Sequence, residues 1–524
     1  MKPLPRRLAL LVLGLFVLAS LVTVLRHEMW RDELQAWLLA KDQPSLAGLW
    51  QAGRYEKHPP AWILVLFLLS RLTPSPLAMQ LFHVGLASLA AWLVLRYFPL
   101  PPVPKVFLVF SYLLFFEFNI ISRNYALGVL SLFLFCHFFA QKRSRPLLWG
   151  ICLFVLANTS IYGLILALAA GAAALVRVLA TPALKKNWAS AAALCLGGLG
   201  TILSAAYLRP VVDSSFDRIA KLHTTLEPGL FNSVLSVFPK SFFQLPRFIF
   251  HFWNTNVLDG ILSSLPVNLV LSLLVITLAV WLIKRSRAAL FFYALSTAGM
   301  LAWTYVASEG FVRHQGHFFL AFLAALWMAR GPVGQSGQEE SSLAKRRGGM
   351  AFFEAALTFF LAVQCVGGLF AAGMDIAYPF SQAKAMAGYI ERQRYAGLPM
   401  VGEMDYLMTP VSGYLDRKIY FMRGERIGSF VRWDLNRIQN VRLPDILTRA
   451  EQYTWIKKQD CLILLNFALD PAWEEPGRLM KLRITGPAIV ANETYRLYVM
   501  KFKGPNVDRQ DQVNGGGGQD RAAR

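Results

Sequence analysis

The stretch of this chain with the most chemically capable side chains close together is Arg26-His27-Glu28-Met29-Trp30-Arg31-Asp32-Glu33-Leu34-Gln35-Ala36-Trp37. It follows an apolar run, residues 8–25, that is long enough to cross a bilayer. Asp32 and Glu33 thus stand where the chain leaves lipid, and on a helix they point about 100° apart. An acidic pair at such a place can act as a base that meets both a lipid-borne and a water-borne reactant, and ionisable groups beside a membrane warrant a functional hypothesis. Trp30 and Trp37 read as interface anchors. The plainer reading is a charged loop end.

Three further clusters could share that work. Lys57-His58-Pro59-Pro60 opens a short apolar segment, residues 61–72. Pro is accommodated in the first turn of a helix, so Lys57 and His58 would sit at its positive end, which suits a phosphate; the alternative is a turn before a helix. Glu117-Phe118-Asn119-Ile120-Ile121-Ser122-Arg123-Asn124-Tyr125 joins two apolar runs. Glu117 and Arg123 at membrane depth are costly unless they are paired or functional, and they could pair with each other. Glu309-Gly310-Phe311-Val312-Arg313-His314-Gln315-Gly316-His317 leads into a later run. There His314 and His317 would share a helix face and could hold a divalent metal with a carboxylate, or bind phosphate by hydrogen bonds.

The elements that must position these residues follow from composition. Of 524 residues, 55% are hydrophobic and only 16% charged, well below the roughly one quarter charged of soluble domains. The net charge of +22 comes largely from short Lys/Arg clusters between apolar runs. That is the positive-inside pattern, not a nucleic-acid footprint, and no nucleic-acid motif is present. Candidate spans are residues 8–25, 77–96, 105–120, 124–140, 146–160, 162–180, 188–207, 262–283, 288–306, 317–330 and 350–372. Placing every basic cluster inside makes these about eleven spans alternate without conflict. Residues 61–72 are too short to cross, and crossing there would invert every later cluster, so residues 26–76 form one long outer loop. Residues 208–261 suit interfacial amphipathic helices. Residues 375–504 change composition and read as a small α/β domain on the outer face, with strands near 398–402, 418–422, 461–466 and 495–502; residues 505–524 read as a disordered tail. Four of the five cysteines lie in apolar runs, and their spacing suggests no disulfide framework or metal site. The fold class is therefore an all-α polytopic membrane bundle, residues 1–372, with a C-terminal α/β domain.

WRDELQAWLLA, YEKHPPAWILVLFLL and EFNIISRNYALGVL together resemble the GT-C glycosyltransferases, in particular bacterial relatives of the protein O-mannosyltransferase and lipid A aminoarabinose transferase branch. The resemblance covers residues 8–180, and the later spans only by general pattern. It implies a transferase in a bacterial cytoplasmic (inner) membrane, with its site and C-terminal domain outside. The enzyme would move a sugar from a polyprenyl-phosphate donor to a glycan, lipid or protein acceptor. The family's first-loop Asp falls on Asp32, with Glu33 beside it as a second catalytic candidate. Its second outer loop begins at Glu117, where the family has Asp, and its basic residue before Pro falls on His58 or Lys57. Under this reading Asp32 is the base. Lys57, His58, Arg123, Arg313 and His314 meet the donor phosphate, and Glu117, Tyr125, Trp30, Tyr55 and His317 contact substrate. No Asp-x-Asp pattern occurs in the second outer loop, so a divalent metal stays open and no other cofactor is called for. The competing readings are a lipid-linked sugar transporter or flippase, an O-antigen ligase or polymerase type of protein, and a non-catalytic scaffold. A transporter would carry internal repeats and mid-membrane charges, and no clear repeat is seen.

Overall fold

The computed structural model describes residues 4–141, 144–215, 227–307, 310–331, 347–393, 395–475 and 477–503. It divides into two compact units. One comprises Met1–Ser381, Arg432–Leu435 and Ala488–Ala491; the other comprises Gln382–Val431, Asn436–Pro487 and Asn492–Arg524.

The first unit is helical. Among the described residues seven helices are long and apolar enough to cross a membrane: Arg6–Arg26, Leu77–Tyr97, Ile161–Ala180, Trp188–Tyr207, Leu265–Ile283, Arg287–Val306 and Ala351–Ala377. Each is near the roughly 20 residues that cover a hydrocarbon core at 1.5 Å per residue. Of the about eleven expected spans, seven fall on these helices, and the other four fall on shorter, interrupted or charge-bearing elements. Residues 105–120 are not one helix but Pro102–Val109 followed by a π-helical turn, Tyr112–Glu117. The Ser111 hydroxyl starts that turn by accepting the Leu114 N–H. Tyr125–Phe139 and Pro146–Ala157 have 15 and 12 residues, and Val312–Arg330 carries Arg313, His314 and His317 in its first two turns. These helices are walled in by neighbours. Phe133, Trp149 and Leu326 have essentially no exposed surface, and an element buried in protein need not satisfy the length rule for lipid.

The long outer loop is itself folded. Arg31–Asp42, Leu46–Gly53 and Ala61–Leu72 are helices, and a 3-10 turn covers Arg54–Glu56. Trp30 and Trp37, expected as interface anchors, are buried at 2% and 1% exposure. Of residues 208–261, Pro228–Leu235 and Val237–Phe242 are helical. The rest of the described part up to residue 260 is irregular. Residues 332–346 and the tail at 505–524 lie outside the described residues.

The second unit is a sheet between helices. Strands β1 (Met400–Gly402), β2 (Ile419–Phe421), β3 (Arg426–Gly428), β4 (Cys461–Leu465), β5 (Leu479–Ile484) and β6 (Arg496–Met500) lie in the order β3-β2-β1-β4-β6-β5. The central β2, β1 and β4 are parallel and the outer pairs antiparallel. The unbroken apolar run of β4 is what a strand buried on both faces requires. Leu462 and Leu464 pack with Ala383–Arg392 and Asp405–Leu415, while Ile463 and Leu465 pack with Leu443–Lys457. Arg437 forks onto both oxygens of Asp405 at 2.8 Å, with both side chains 2% exposed.

Candidate active site

The acidic pair separates as helical spacing requires. Trp30 is extended and ends the preceding segment, and the helix Arg31–Asp42 begins after it. Glu33, three residues on, turns its carboxylate back to accept the Trp30 N–H at 3.1 Å. This satisfies one of the donors that a helix start leaves open. Asp32 points the other way. Its Oδ2 meets Arg123 Nη1 in a close ion pair and lies 3.8 Å from Arg313 Nη2, and Arg31 Nε lies 3.9 Å from its Oδ1. Burial raises the carboxyl, but Arg123, Arg313 and Arg31 outweigh it and hold Asp32 below the usual carboxylate range. Asp32 is therefore ionised at neutral pH.

Arg123 is positioned by the backbone of its own segment. His83, on the helix Leu77–Tyr97, lies with its ring nitrogens 2.8 Å from the carbonyl oxygens of Asn119 and Arg123. The Ser122 N–H donates to Glu33 Oε1 at 2.7 Å. The Arg123 guanidinium, thus aimed, also donates from Nη2 to His58 Nε2 at 3.3 Å. Burial together with the nearby Arg123 charge pushes His58 down to about 3. His58 is a neutral acceptor there. Lys57 adopts a left-handed backbone, φ 55°, before Pro59, Pro60 and the helix Ala61–Leu72.

Arg313 sits in an aromatic box. Its guanidinium carbon lies 4.6 Å from the Phe311 ring centre, 5.6 Å from Trp30 and 5.7 Å from Trp253. Trp30 and Trp253 meet edge to face at 4.5 Å. The side chain is 7% exposed, yet its Nε and Nη1 have no hydrogen-bond partner. Buried donors left this way are expensive, so they mark a place where an anion is expected. Glu117 does not pair with Arg123. Its Oε2 accepts from Trp253 Nε1 at 3.1 Å and from the Tyr112 hydroxyl at 3.2 Å, and its Oε1 is buried without a partner. Glu117 thus holds the aromatic wall behind Arg313.

Beside Arg313, His314 Nε2 lies 3.1 Å from the Tyr125 hydroxyl. Tyr162 stacks on both His314 and His317, at 5.4 and 4.8 Å. His317 Nδ1 lies 2.9 Å from the Arg313 carbonyl oxygen, fixing the turn that presents the guanidinium. Among the described residues no group of three or more His, Cys, Asp or Glu could hold a metal ion. Tyr55 is engaged elsewhere: its hydroxyl donates to Asp213 at 2.8 Å and accepts from Arg432 Nη2 at 2.9 Å. Glu56 accepts from Gln35 at 2.7 Å. Burial, with Asp32 nearby, raises it to about 7.

The structure therefore brings Asp32, His58, Arg123 and Arg313 together, with His314 adjoining. It assigns Glu33, Glu117 and Tyr55 to other contacts. Trp253, Tyr162 and His83 were not singled out by the sequence. Only a Trp in an otherwise amphipathic-looking stretch hinted at the first.

No family model matches the chain, and no curated protein matches it. Among solved structures, the chain is similar to ArnT from Cupriavidus metallidurans bound to undecaprenyl phosphate. The TM-score is 0.49 at 11% identity, over 94% of this chain and 97% of that one. It is similar also to the apo state of ArnT from the same organism, with TM-score 0.48 at 12% identity and the same coverage.

Proposed function

We propose that this chain is an integral-membrane glycosyltransferase that moves a sugar from a polyprenyl-phosphate donor to an acceptor hydroxyl on the extracytoplasmic side. The observation that carries the reading is one ionised carboxylate, Asp32, held between two guanidinium groups, of which Arg313 keeps two buried donors unpaired. A base and a preplaced anion site thus lie within one ion-pair distance of each other, as displacement with a phosphate leaving group demands.

In the reaction the acceptor oxygen attacks the anomeric carbon while the bond from that carbon to the phosphate oxygen breaks. The bonding pair leaves with the polyprenyl phosphate, and the acceptor proton passes to Asp32. Arg123 and Arg313 meet the charge that grows on the departing phosphate. An Asp32 tied to two cations is a weak base. A phosphate that draws Arg123 and Arg313 toward itself loosens that tie and raises Asp32 basicity when the donor is bound. His58, neutral, keeps the Arg123 fork oriented. Of Tyr125, Trp30, His314 and His317, His314 alone keeps part of its surface exposed and can meet the sugar, while the other three are buried beside it. The donor reaches the site from the lipid of the bacterial inner membrane, and the acceptor is a glycan, lipid or protein.

Asp32→Asn tests the base. It should lower transfer about 1,000-fold or more, within the range that general-base loss supplies, and the amide also fails to balance Arg123 and Arg313. Near-normal transfer by a folded Asp32→Asn protein would remove the assignment.

A further inference from the structure

Next to the Asp32–Arg123 pair lies an ionisable cluster that the transfer chemistry above does not use. His27 directly follows the helix Arg6–Arg26, and its side chain is fully buried. Its Nδ1 lies 2.8 Å from Asp375 Oδ2, and its Nε2 lies 3.0 Å from Glu33 Oε2. Asp375 belongs to the helix Arg347–Ala377, 348 residues further along the chain. Each ring nitrogen faces a carboxylate oxygen, so a ring that donates to both is an imidazolium. Burial opposes that charge, but Asp375 and Glu33 outweigh it, and His27 is pushed up to about 10. The Phe380 ring, 4.7 Å away, closes one side of the imidazole.

What this cluster grips matters more than its own charge. Glu33 is the residue after Asp32, and its Oε2 also takes the Trp30 N–H. Its other oxygen takes the N–H of Ser122, the residue before Arg123. One carboxylate therefore fixes the main chain beside both members of the Asp32–Arg123 pair. His27 and Asp375 in turn fix that carboxylate. A misplacement of about 1 Å at a reacting group can cost about a hundredfold in rate.

We propose that His27, Glu33 and Asp375 are positioning residues for sugar transfer: the imidazolium between two carboxylates locks Glu33, and Glu33 sets where Asp32 and Arg123 point. The inference rests on the glycosyltransferase reading above. Neither His27 nor Asp375 touches Asp32 or Arg123 directly, so their effect runs through Glu33.

The test uses full-length protein in detergent, with donor consumption measured for wild type, His27→Gln, Asp375→Asn and Asp375→Glu. For His27→Gln and Asp375→Asn we expect kcat to fall about 30- to 100-fold while the donor KM stays within about threefold. The gel-filtration profile should stay that of wild type, and the thermal midpoint, lowered because a buried charge cluster is broken, should stay above the assay temperature. Asp375→Glu, which keeps the charge, should recover most of the lost kcat. If His27→Gln does not accumulate, Asp375→Asn carries the test, because it keeps the hydrogen bond and removes only a charge. Unchanged kcat in both variants overturns the proposal. So does a kcat loss matched by the donor KM, or by loss of folded protein at the assay temperature, or left unrescued by Asp375→Glu. A wild type that leaves every polyprenyl-phosphate sugar intact removes the glycosyltransferase reading itself. An active wild type with undiminished variants removes only the positioning role.

Discussion

Replacing Arg313 separates ground-state from transition-state electrostatics at this site. Arg313 Nη2 lies 3.8 Å from Asp32. Two unit charges at about 4 Å interact by about 4 kcal/mol at an effective dielectric near 20. Asp32 keeps 33% of its side chain exposed, so screening brings this pair toward the roughly 1 kcal/mol of surface ion pairs. In the proposed transfer the larger contribution comes from the unpaired Nε and Nη1, which would meet the charge on the leaving phosphate. Removing one preplaced donor of that kind costs about 3–4 kcal/mol, or 100- to 1,000-fold in kcat. Arg313→Gln should therefore lose at least about 100-fold in kcat. Arg313→Lys, which keeps the charge but loses the planar fork between Trp30 and Trp253, should fall in between. The assay is donor consumption by purified protein at saturating acceptor, with donor binding measured separately. Arg313→Gln within about threefold of wild type in kcat would refute the reasoning that donors here act in the transition state.

Two further perturbations follow from the same structure. Glu56 is raised from 4.5 to about 7, so its neutral form is favoured in the fold. The stability this gives is full below about pH 4.5 and lost as pH rises through 7. Above that pH its charge joins Asp32 beside the proposed phosphate site, so on that proposal the donor KM should rise across neutral pH. Glu56→Gln should flatten that rise, and coincident profiles would exclude Glu56 as its source. In the second unit, Arg437→Met leaves the buried Asp405 carboxylate without its partner. The unit should lose about 3–5 kcal/mol, read as a lower denaturant midpoint for protection of the sheet from hydrogen exchange. An unchanged midpoint would show that the pair adds nothing.

The legible part of the site is the part written in local sequence. Asp32 follows an apolar run, His58 precedes two prolines, Arg123 and Arg313 stand between apolar runs, and each announces itself by being charged where charge is costly. Their partners are another matter. Asp375 lies 348 residues from His27, and no spacing rule links a span's last turn to the first span's cap. Trp253 sits in an aromatic stretch whose composition suits an interface, and only its indole N–H on Glu117 shows that it faces inward. Tyr162 opens an apolar helix and looks like core until it stacks on His314. In the fold, the long spans were readable from hydropathy. The short buried helices were not separable from full spans, because apolar composition alone does not say whether lipid or protein surrounds a residue. Of the strands, β3 and β5 escaped notice: β3 has three residues, and β5, at the sheet edge, carries Lys481 and Arg483. Edge strands are commonly charged in this way to prevent further pairing, which makes them read as surface loop.

The most direct measurement incubates purified full-length protein with polyprenyl-phosphate sugars radiolabelled in the sugar, in the presence of membrane glycolipids as acceptors. With at least one donor, wild type should move label off the polyprenyl lipid and onto acceptor or into water, and Asp32→Asn should leave it in place. Label that stays on the lipid with every donor, or that leaves equally well with Asp32→Asn, contradicts the account.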